Sequence, residues 1–117
     1  MKLKITIGSN NATAVLYNNQ SSRDFAALLP LSLTLADYNK TEKIGNLPKK
    51  LSTKDVPAGF DPSTGDLTYY APWGNLALFY KNFSYSGGLV SLGKITSGME
   101  AFNVSAAFEI KIELENK

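Results

Sequence analysis

Hydrophobic and polar residues alternate along much of the chain with the two-residue period of a β-strand. The first segment, KLKITIG, places Leu3, Ile5 and Ile7 on one face. The turn residues SNN separate it from the segment ATAVLYN. These two segments therefore predict a β-hairpin at the start of the chain.

Strand-like patterns continue through most of the remaining sequence. The segments are LPLSLTLAD, TEKIGNLPKKLS, LTYYA, NLALFYKNF, GLVSLGKIT and AFEIKIELE. Gly45 and Pro48 interrupt the second of these segments, which we interpret as a broken, weaker pair of strands. The segment VPAGFDPSTGD has the composition of a loop. The pattern therefore predicts seven or eight strands.

One segment, NNQSSRDFAALLP, follows the period of an α-helix instead. Phe25, Leu28 and Leu29 have the spacing i, i+3, i+4, which places them on one helical face. Ser21 or Ser22 is suited to cap the first turn, and Pro30 should end the helix. The sequence therefore predicts one main helix within residues 20–30.

Short strands joined by turns, with a single early helix, indicate an all-β fold. We expect a closed barrel of about eight strands whose interior is filled by side chains, with the helix plugging one end. No internal repeat, linker or change of composition marks a domain boundary. Residues 1–117 are therefore predicted to form one domain.

Composition narrows the possible chemistry. The 117-residue chain has 44% hydrophobic and 19% charged residues, as a folded globular protein does, and it contains no cysteine and no histidine. Thiolate nucleophiles, catalytic histidines and the usual zinc sites are therefore excluded. Asp, Glu, Lys, Tyr and backbone groups remain for catalysis. We expect no metal and no cofactor.

The charge pattern and the chain start bear on partners and location. Twelve basic and ten acidic residues are scattered along the sequence, so no basic stripe for nucleic acid is formed. No apolar run is long enough to span a bilayer. The start, MKLKITIGSNN, lacks the apolar run and cleavage site of a signal peptide. We expect a cytoplasmic protein with neither a nucleic-acid nor a membrane partner.

Three charged residues are candidates for a binding groove. Glu42 and Lys43 are neighbours on a predicted strand and therefore point to opposite faces, so one can line a pocket while the other meets water. The alternative, in which both are solvated surface charges, is favoured by the rarity of buried charges. Arg23 is the only arginine and lies in the first turn of the predicted helix, where its charge is mildly unfavourable. A surface arginine without a role is the alternative there.

The segment GDLTYYAPWGNLALFYKNF supplies the aromatic candidates. Alternation places Tyr69 and Tyr70 on opposite faces of one strand, and it does the same for Phe79 and Tyr80 on the next. Some of these rings must therefore lie outside the core. A Pro-Trp-Gly turn holds the chain's only tryptophan at a strand end. We name Tyr70, Trp73, Phe79 and Tyr80 as candidate ligand-binding residues, with core packing as the alternative.

The residues also resemble a known family. The segments SSRDFAALLPLSLTLADY, TEKIGNLPKKLS and PAGFDPSTGDLTYYAPWGNLALFYKNF, followed by GLVSLGKI, are similar to bacterial cyclophilin-like proteins. That resemblance covers nearly the whole chain and implies a closed eight-stranded barrel with helical insertions. It implies no established reaction. True cyclophilins present a Phe-His-Arg strand and a Gln-Gly-Gly segment; here TEKIGNLP would place Lys43 near the arginine position, and the Gln-Gly-Gly segment is absent.

Two hypotheses about function follow. The first is a binding module whose aromatic groove holds a small molecule or a peptide. The second is a weak or vestigial peptidyl-prolyl isomerase, or another enzyme, that uses Lys43 and tyrosines. Lysine lacks the planar guanidinium fork of arginine, so an efficient isomerase is not expected.

Overall fold

A computed structural model describes residues 1–115 as an antiparallel β-structure with one α-helix. The strands are β1 (Lys2–Ile7), β2 (Asn10–Leu16), β3 (Leu31–Tyr38), β4 (Glu42–Asn46), β5 (Gly59–Phe60), β6 (Asp66–Tyr70), β7 (Asn75–Phe79), β8 (Ser86–Gly87), β9 (Leu89–Ser97) and β10 (Phe108–Leu114). Helix α1 spans Gln20–Ala26, and a 3-10 helix spans Met99–Phe102.

Eight of these strands close into a barrel in the order β1-β10-β3-β4-β7-β6-β9-β2. The two remaining strands, β5 and β8, pair with each other in a small separate sheet. The predicted all-β barrel of about eight strands, with one main helix, is therefore confirmed. Within the described residues no helix is long and apolar enough to cross a membrane.

The barrel interior is filled by the alternating apolar residues that the sequence pattern marks. Leu3, Ile5 and Ile7 of β1 are buried there, and Ile5 lies opposite Ile112 of β10. On β6 and β7, Leu67 pairs with Leu78 in the same inward layer. Each fully buried side chain of this size contributes about 1.5 to 3 kcal/mol relative to exposure, so this layer is the main source of stability.

The outward residues of β7 are buried as well, which strict alternation does not predict. Ala77 and Phe79 point away from the interior, yet both are fully covered. They form a second apolar cluster with Leu89, against which Phe60 of β5 packs. The small β5-β8 sheet therefore shields part of the barrel's outer face, and the uncovered remainder forms a groove.

Helix α1 lies within residues 20–30 as predicted, but its capping residue differs from the predicted one. The side chain of Asn19, not of Ser21 or Ser22, caps it by accepting a hydrogen bond from the Ser22 N–H at 2.8 Å. The two serines are buried and donate to the carbonyls of Ser52 and Leu92. Phe25 enters the core, so the helix closes one end of the barrel as expected.

The segment predicted as a broken pair of strands is one strand, β4, and that prediction was wrong. Gly45 does not interrupt it: a Cβ atom there would lie 2.8 Å from the Thr34 carbonyl oxygen of the adjacent strand. Close approach of β3 therefore explains this glycine. At the end of the barrel opposite α1, Phe102 of the 3-10 helix enters the core next to the start of β4.

Candidate functional site

Two concave surfaces lie on opposite faces of β4, and each collects some of the predicted site residues. The first, called here the outer groove, lies on the outer face of β4, β6 and β7 and has a volume of about 250 Å³. Its lining includes Tyr38, Glu42, Tyr70, Trp73, Asn75, Phe79 and Phe83. The second, called the mouth cavity, opens at the end of the barrel opposite α1 and has a volume of about 520 Å³.

The turn between β6 and β7 presents Trp73 to the outer groove. The N–H of Gly74 donates to the Tyr70 carbonyl at 2.9 Å, and Gly74 takes a φ of +70°, which a glycine adopts readily. Pro72 packs against Gly88, where a Cβ atom would lie 2.8 Å from the proline ring. The turn is therefore fixed from two sides, and the indole is held at the strand end.

Three aromatic rings meet at the rim of the outer groove. Tyr38 and Tyr70 each stand almost perpendicular to Trp73, with ring centroids 5.5 Å and 5.3 Å from the indole. Trp73 nevertheless remains 57% exposed. Beneath the rim, Phe79 and Leu89 form a buried apolar floor. The groove thus combines an apolar floor with exposed ring surfaces.

Within residues 1–115, the outer groove contains two hydrogen-bond acceptors without a partner, the Glu42 carboxyl group and the Asn75 side-chain oxygen. Burial raises the pKa of the Glu42 carboxyl above its ordinary value. Asn75 is buried, and its Nδ2 donates to the Leu76 carbonyl at 3.1 Å, but its Oδ1 has no hydrogen-bond partner within residues 1–115. Buried acceptors without donors are uncommon in folded proteins. The half-exposed Glu42 carboxyl is therefore available to a bound molecule, and Asn75 places an unpartnered acceptor in the buried lining of the same groove.

The mouth cavity is organised around Lys43. Its side chain enters the barrel end and is 4% exposed, with Nζ donating to the Val104 carbonyl and lying 3.4 Å from Asp37 Oδ1. Nζ also lies 5.3 Å from the centroid of the Tyr80 ring and 5.7 Å from that of Phe108. The predominant expectation of a solvated Lys43 was wrong, because a carboxylate, a carbonyl and two rings replace the water.

Asp37 and Tyr80 form one hydrogen-bonded unit beside this lysine. The Tyr80 hydroxyl donates to Asp37 Oδ1, and this bond is the largest cause that lowers the pKa of Asp37. The Lys40 N–H and the charge of Lys43 act in the same direction. Burial, followed by the hydrogen bond to Asp37 and its charge, raises the pKa of Tyr80 to about 12. The phenol is therefore held as a neutral donor.

The structure divides the predicted site residues into three groups. Glu42, Tyr70, Trp73 and Phe79 meet in the outer groove, whereas Lys43 and Tyr80 line the mouth cavity. Arg23 belongs to neither surface: on helix α1 it donates to the side chains of Asn18 and Gln20. Within residues 1–115, no three potential ligands of the His, Cys, Asp and Glu types cluster to hold a metal.

Sequence reasoning missed Tyr38, Asn75 and Asp37. Tyr38 lies directly opposite Glu42 across the β3-β4 ladder, so pairing those two strands in register would have found it. Asn75 lies opposite Tyr70 in the β6-β7 hairpin, on the outward face. Asp37 pairs with Lys43 in the same ladder. Alternation gives the face of each residue, but only the strand pairing shows which of them are neighbours.

Comparison with known proteins agrees with this architecture. A family model described as the cyclophilin-like family matches residues 5–113. The chain belongs to the cyclophilin-like family. The fold of this cyclophilin-like protein is also similar to the solution structure of a hypothetical protein from Archaeoglobus fulgidus, with a TM-score of 0.67 and 19% identity over 97% of this chain and 93% of that one. No curated protein matches the sequence.

Proposed function

We propose that this cyclophilin-like protein is a binding module that holds a small molecule or a short peptide in the outer groove. The observation that carries the proposal is the exposed indole of Trp73, fixed by its turn and flanked by two perpendicular tyrosine rings. Rings held rigidly at a surface offer contact area at little cost in conformational entropy.

The surroundings of Trp73 favour a recessed binding site and argue against the alternative that Trp73 is an isolated ring on the surface. Phe79 and Leu89 supply an apolar floor, and Asn75 and Glu42 supply polar atoms within the same concavity. Ligand sites in proteins combine an apolar lining with a few placed polar groups in this way. A contiguous apolar surface that is exposed to water is unusual unless it binds something, which also favours a binding role.

The second candidate is a weak or vestigial prolyl isomerase, or another enzyme, working in the mouth cavity. The cluster in which Asp37 pairs with Lys43 and accepts from Tyr80 favours it, since titratable groups whose pKa values are shifted by their neighbours in a cleft are candidates for an active site. Against it, the Lys43 ammonium is already engaged by Asp37 and by the Val104 carbonyl. Lys43 also faces away from the aromatic rings of the outer groove.

Amide shift mapping tests the binding module. The ¹⁵N-labelled protein is titrated with a panel of N-acetyl amino acid amides and small heteroaromatic compounds, and we expect shifts at the Trp73 indole N–H and the Asn75 side-chain amide. Tyr38→Ala should weaken those shifts. Tyr17→Ala is the matched control, because Tyr17 is 42% exposed and Tyr38 is 41% exposed, and Tyr17 does not line the groove. A panel that leaves the groove signals unmoved would overturn the proposal.

A further inference from the structure

The charge of the outer groove points to the kind of ligand that fits it. Among the described residues that line the groove, Glu42 is the only one with a carboxylate or a cationic side chain. Within residues 1–115, no hydrogen bond or ion pair reaches its carboxylate; the ion pairs of the structure involve other residues. The groove therefore contains a half-buried acid without a counterion.

The buried Asn75 side chain adds a further acceptor to the groove. Asn75 is 2% exposed, and its Oδ1 is the buried side-chain atom that has no partner in the described part of the chain. A ligand that satisfies both groups must bring positive charge or hydrogen-bond donors of the N–H or O–H type. An anionic ligand would instead meet two acceptors and would pay for desolvating them.

The rings complete the arrangement. The Trp73 indole contacts the rings of both Tyr38 and Tyr70, at interplanar angles of 88° and 85°. Aromatic faces attract cations through their quadrupole, and several rings grouped together are a common recognition site for an alkylated ammonium group. The Glu42 carboxylate lies in the same groove and can balance such a charge.

We propose that the outer groove recognises an organic ammonium group, placing it against the rings of Tyr38, Tyr70 and Trp73 with Glu42 as its counterion. The inference rests on the proposed binding function and specifies its ligand class. The ammonium group can belong to a small free molecule or to an alkylated lysine side chain of a peptide, since both present the same head. A neutral apolar ligand fits less well, because it would bury the Glu42 carboxylate without a partner.

Calorimetric titration with a charged ligand and its neutral isostere tests the role of charge. Choline and 3,3-dimethylbutan-1-ol have the same shape, but only choline carries the positive charge. We expect choline to bind roughly tenfold more tightly or better, as a partly desolvated cation on aromatic faces with a nearby carboxylate should. A trimethyllysine residue blocked as its N-acetyl methylamide is measured beside choline to distinguish the two ligand sources.

Two substitutions locate the effect. Glu42→Gln keeps the shape and removes the charge, and Trp73→Leu keeps an apolar, though smaller, side chain and removes the ring face. Both should reduce choline affinity and bring it towards that of the isostere. Glu100→Gln is the control, because it removes one carboxylate from the mouth cavity and leaves the outer groove unchanged. Circular dichroism confirms that each variant is folded.

The possible outcomes separate the inference from the function on which it rests. Equal affinity for choline and its isostere, with both lost in Trp73→Leu, would overturn the ammonium preference and leave the groove as a binding site. Choline binding that survives both groove substitutions would also overturn it. If neither compound binds, the ammonium inference fails, and the panel of amides and heteroaromatic compounds decides separately whether the groove binds other ligands.

Discussion

Glu42 and Lys43, adjacent in β4, line two different concave surfaces on opposite sides of one strand. Glu42 faces the outer groove among aromatic rings, and Lys43 enters the barrel mouth beside Asp37. The sequence interpretation anticipated the opposite faces but favoured solvent for both residues. Each side chain instead lies where its charge is only partly hydrated. Substituting Glu42 should therefore affect the outer groove, and substituting Lys43 should affect the barrel mouth.

The location of Trp73 predicts a difference in stability between two aromatic truncations. Trp73→Ala should cost about 1 to 2 kcal/mol, mainly from its two edge-to-face contacts, since the indole is more than half exposed. Phe79→Ala should cost about 3 to 5 kcal/mol, because that ring is fully buried. Thermal and denaturant unfolding of the two variants measures this difference.

Iodide quenching of the single tryptophan provides an independent measurement. We expect efficient quenching in the folded protein, because the indole is accessible to a small anion. An indole shielded from iodide, together with a severe loss of stability in Trp73→Ala, would place Trp73 in the core and remove it from the groove.

The ion pair in the barrel mouth should be coupled energetically. Asp37→Asn leaves the Lys43 ammonium buried with less compensation and should cost about 1 to 3 kcal/mol. Combining it with Lys43→Met removes that charge, so the double variant should be more stable than the sum of the two losses predicts. The control is Glu113→Gln in the exposed pair with Lys111, expected to cost under about 1 kcal/mol. Additive losses would refute the coupling.

Tyr80 should ionise only in strongly alkaline solution. Its pKa of about 12 lies above the ordinary value of about 10. Its stabilising contribution is therefore complete below pH 10 and should be lost as the pH rises through about 12, because the unfolded chain gives up that proton first. Tyrosinate absorbance during an alkaline titration measures the step. Tyr80→Phe should remove it and Asp37→Asn should lower it; a late step that persists in Tyr80→Phe would contradict the assignment.

Prolyl isomerase activity should be little or none. The Lys43 ammonium is engaged inside the barrel mouth, and the aromatic groove lies on the other face of the strand, so the two cannot act on one proline. Turnover of a cis-proline peptide is compared with a cyclophilin and with the Lys43→Ala variant. Rates equal to those of the cyclophilin that vanish in Lys43→Ala would show that lysine can replace arginine there.

Local sequence patterns are sufficient to predict the barrel, but they predict the candidate site only in part. Alternation in KLKITI and in FEIKIEL marks the residues that fill the interior, as the burial of Ile5, Ile110 and Ile112 shows. The same rule separates Tyr69, which is buried, from Tyr70, which lines the groove. These results need only the two-residue period of a strand.

Other features depend on contacts between distant segments. The burial of Ala77 and Phe79 on the outward face requires the β5-β8 sheet, whose two-residue strands give no periodic signal. The burial of Lys43 depends on the carbonyl of Val104, far along the chain. Gly45 indicates a strand break when it is considered alone. In the structure, the absence of a side chain at Gly45 allows the backbone of β3 to approach closely. Such tertiary effects override local propensity.

The closed order of the eight barrel strands limits how a peptide could be recognised. Each of these strands is hydrogen-bonded on both sides, so none offers the free row of N–H and C=O groups that β-augmentation uses. The two strands outside the barrel are each two residues long, too short to template an added strand. A peptide bound here would be selected by its side chains, and substitutions at a few surface positions could change its preference without altering the backbone framework.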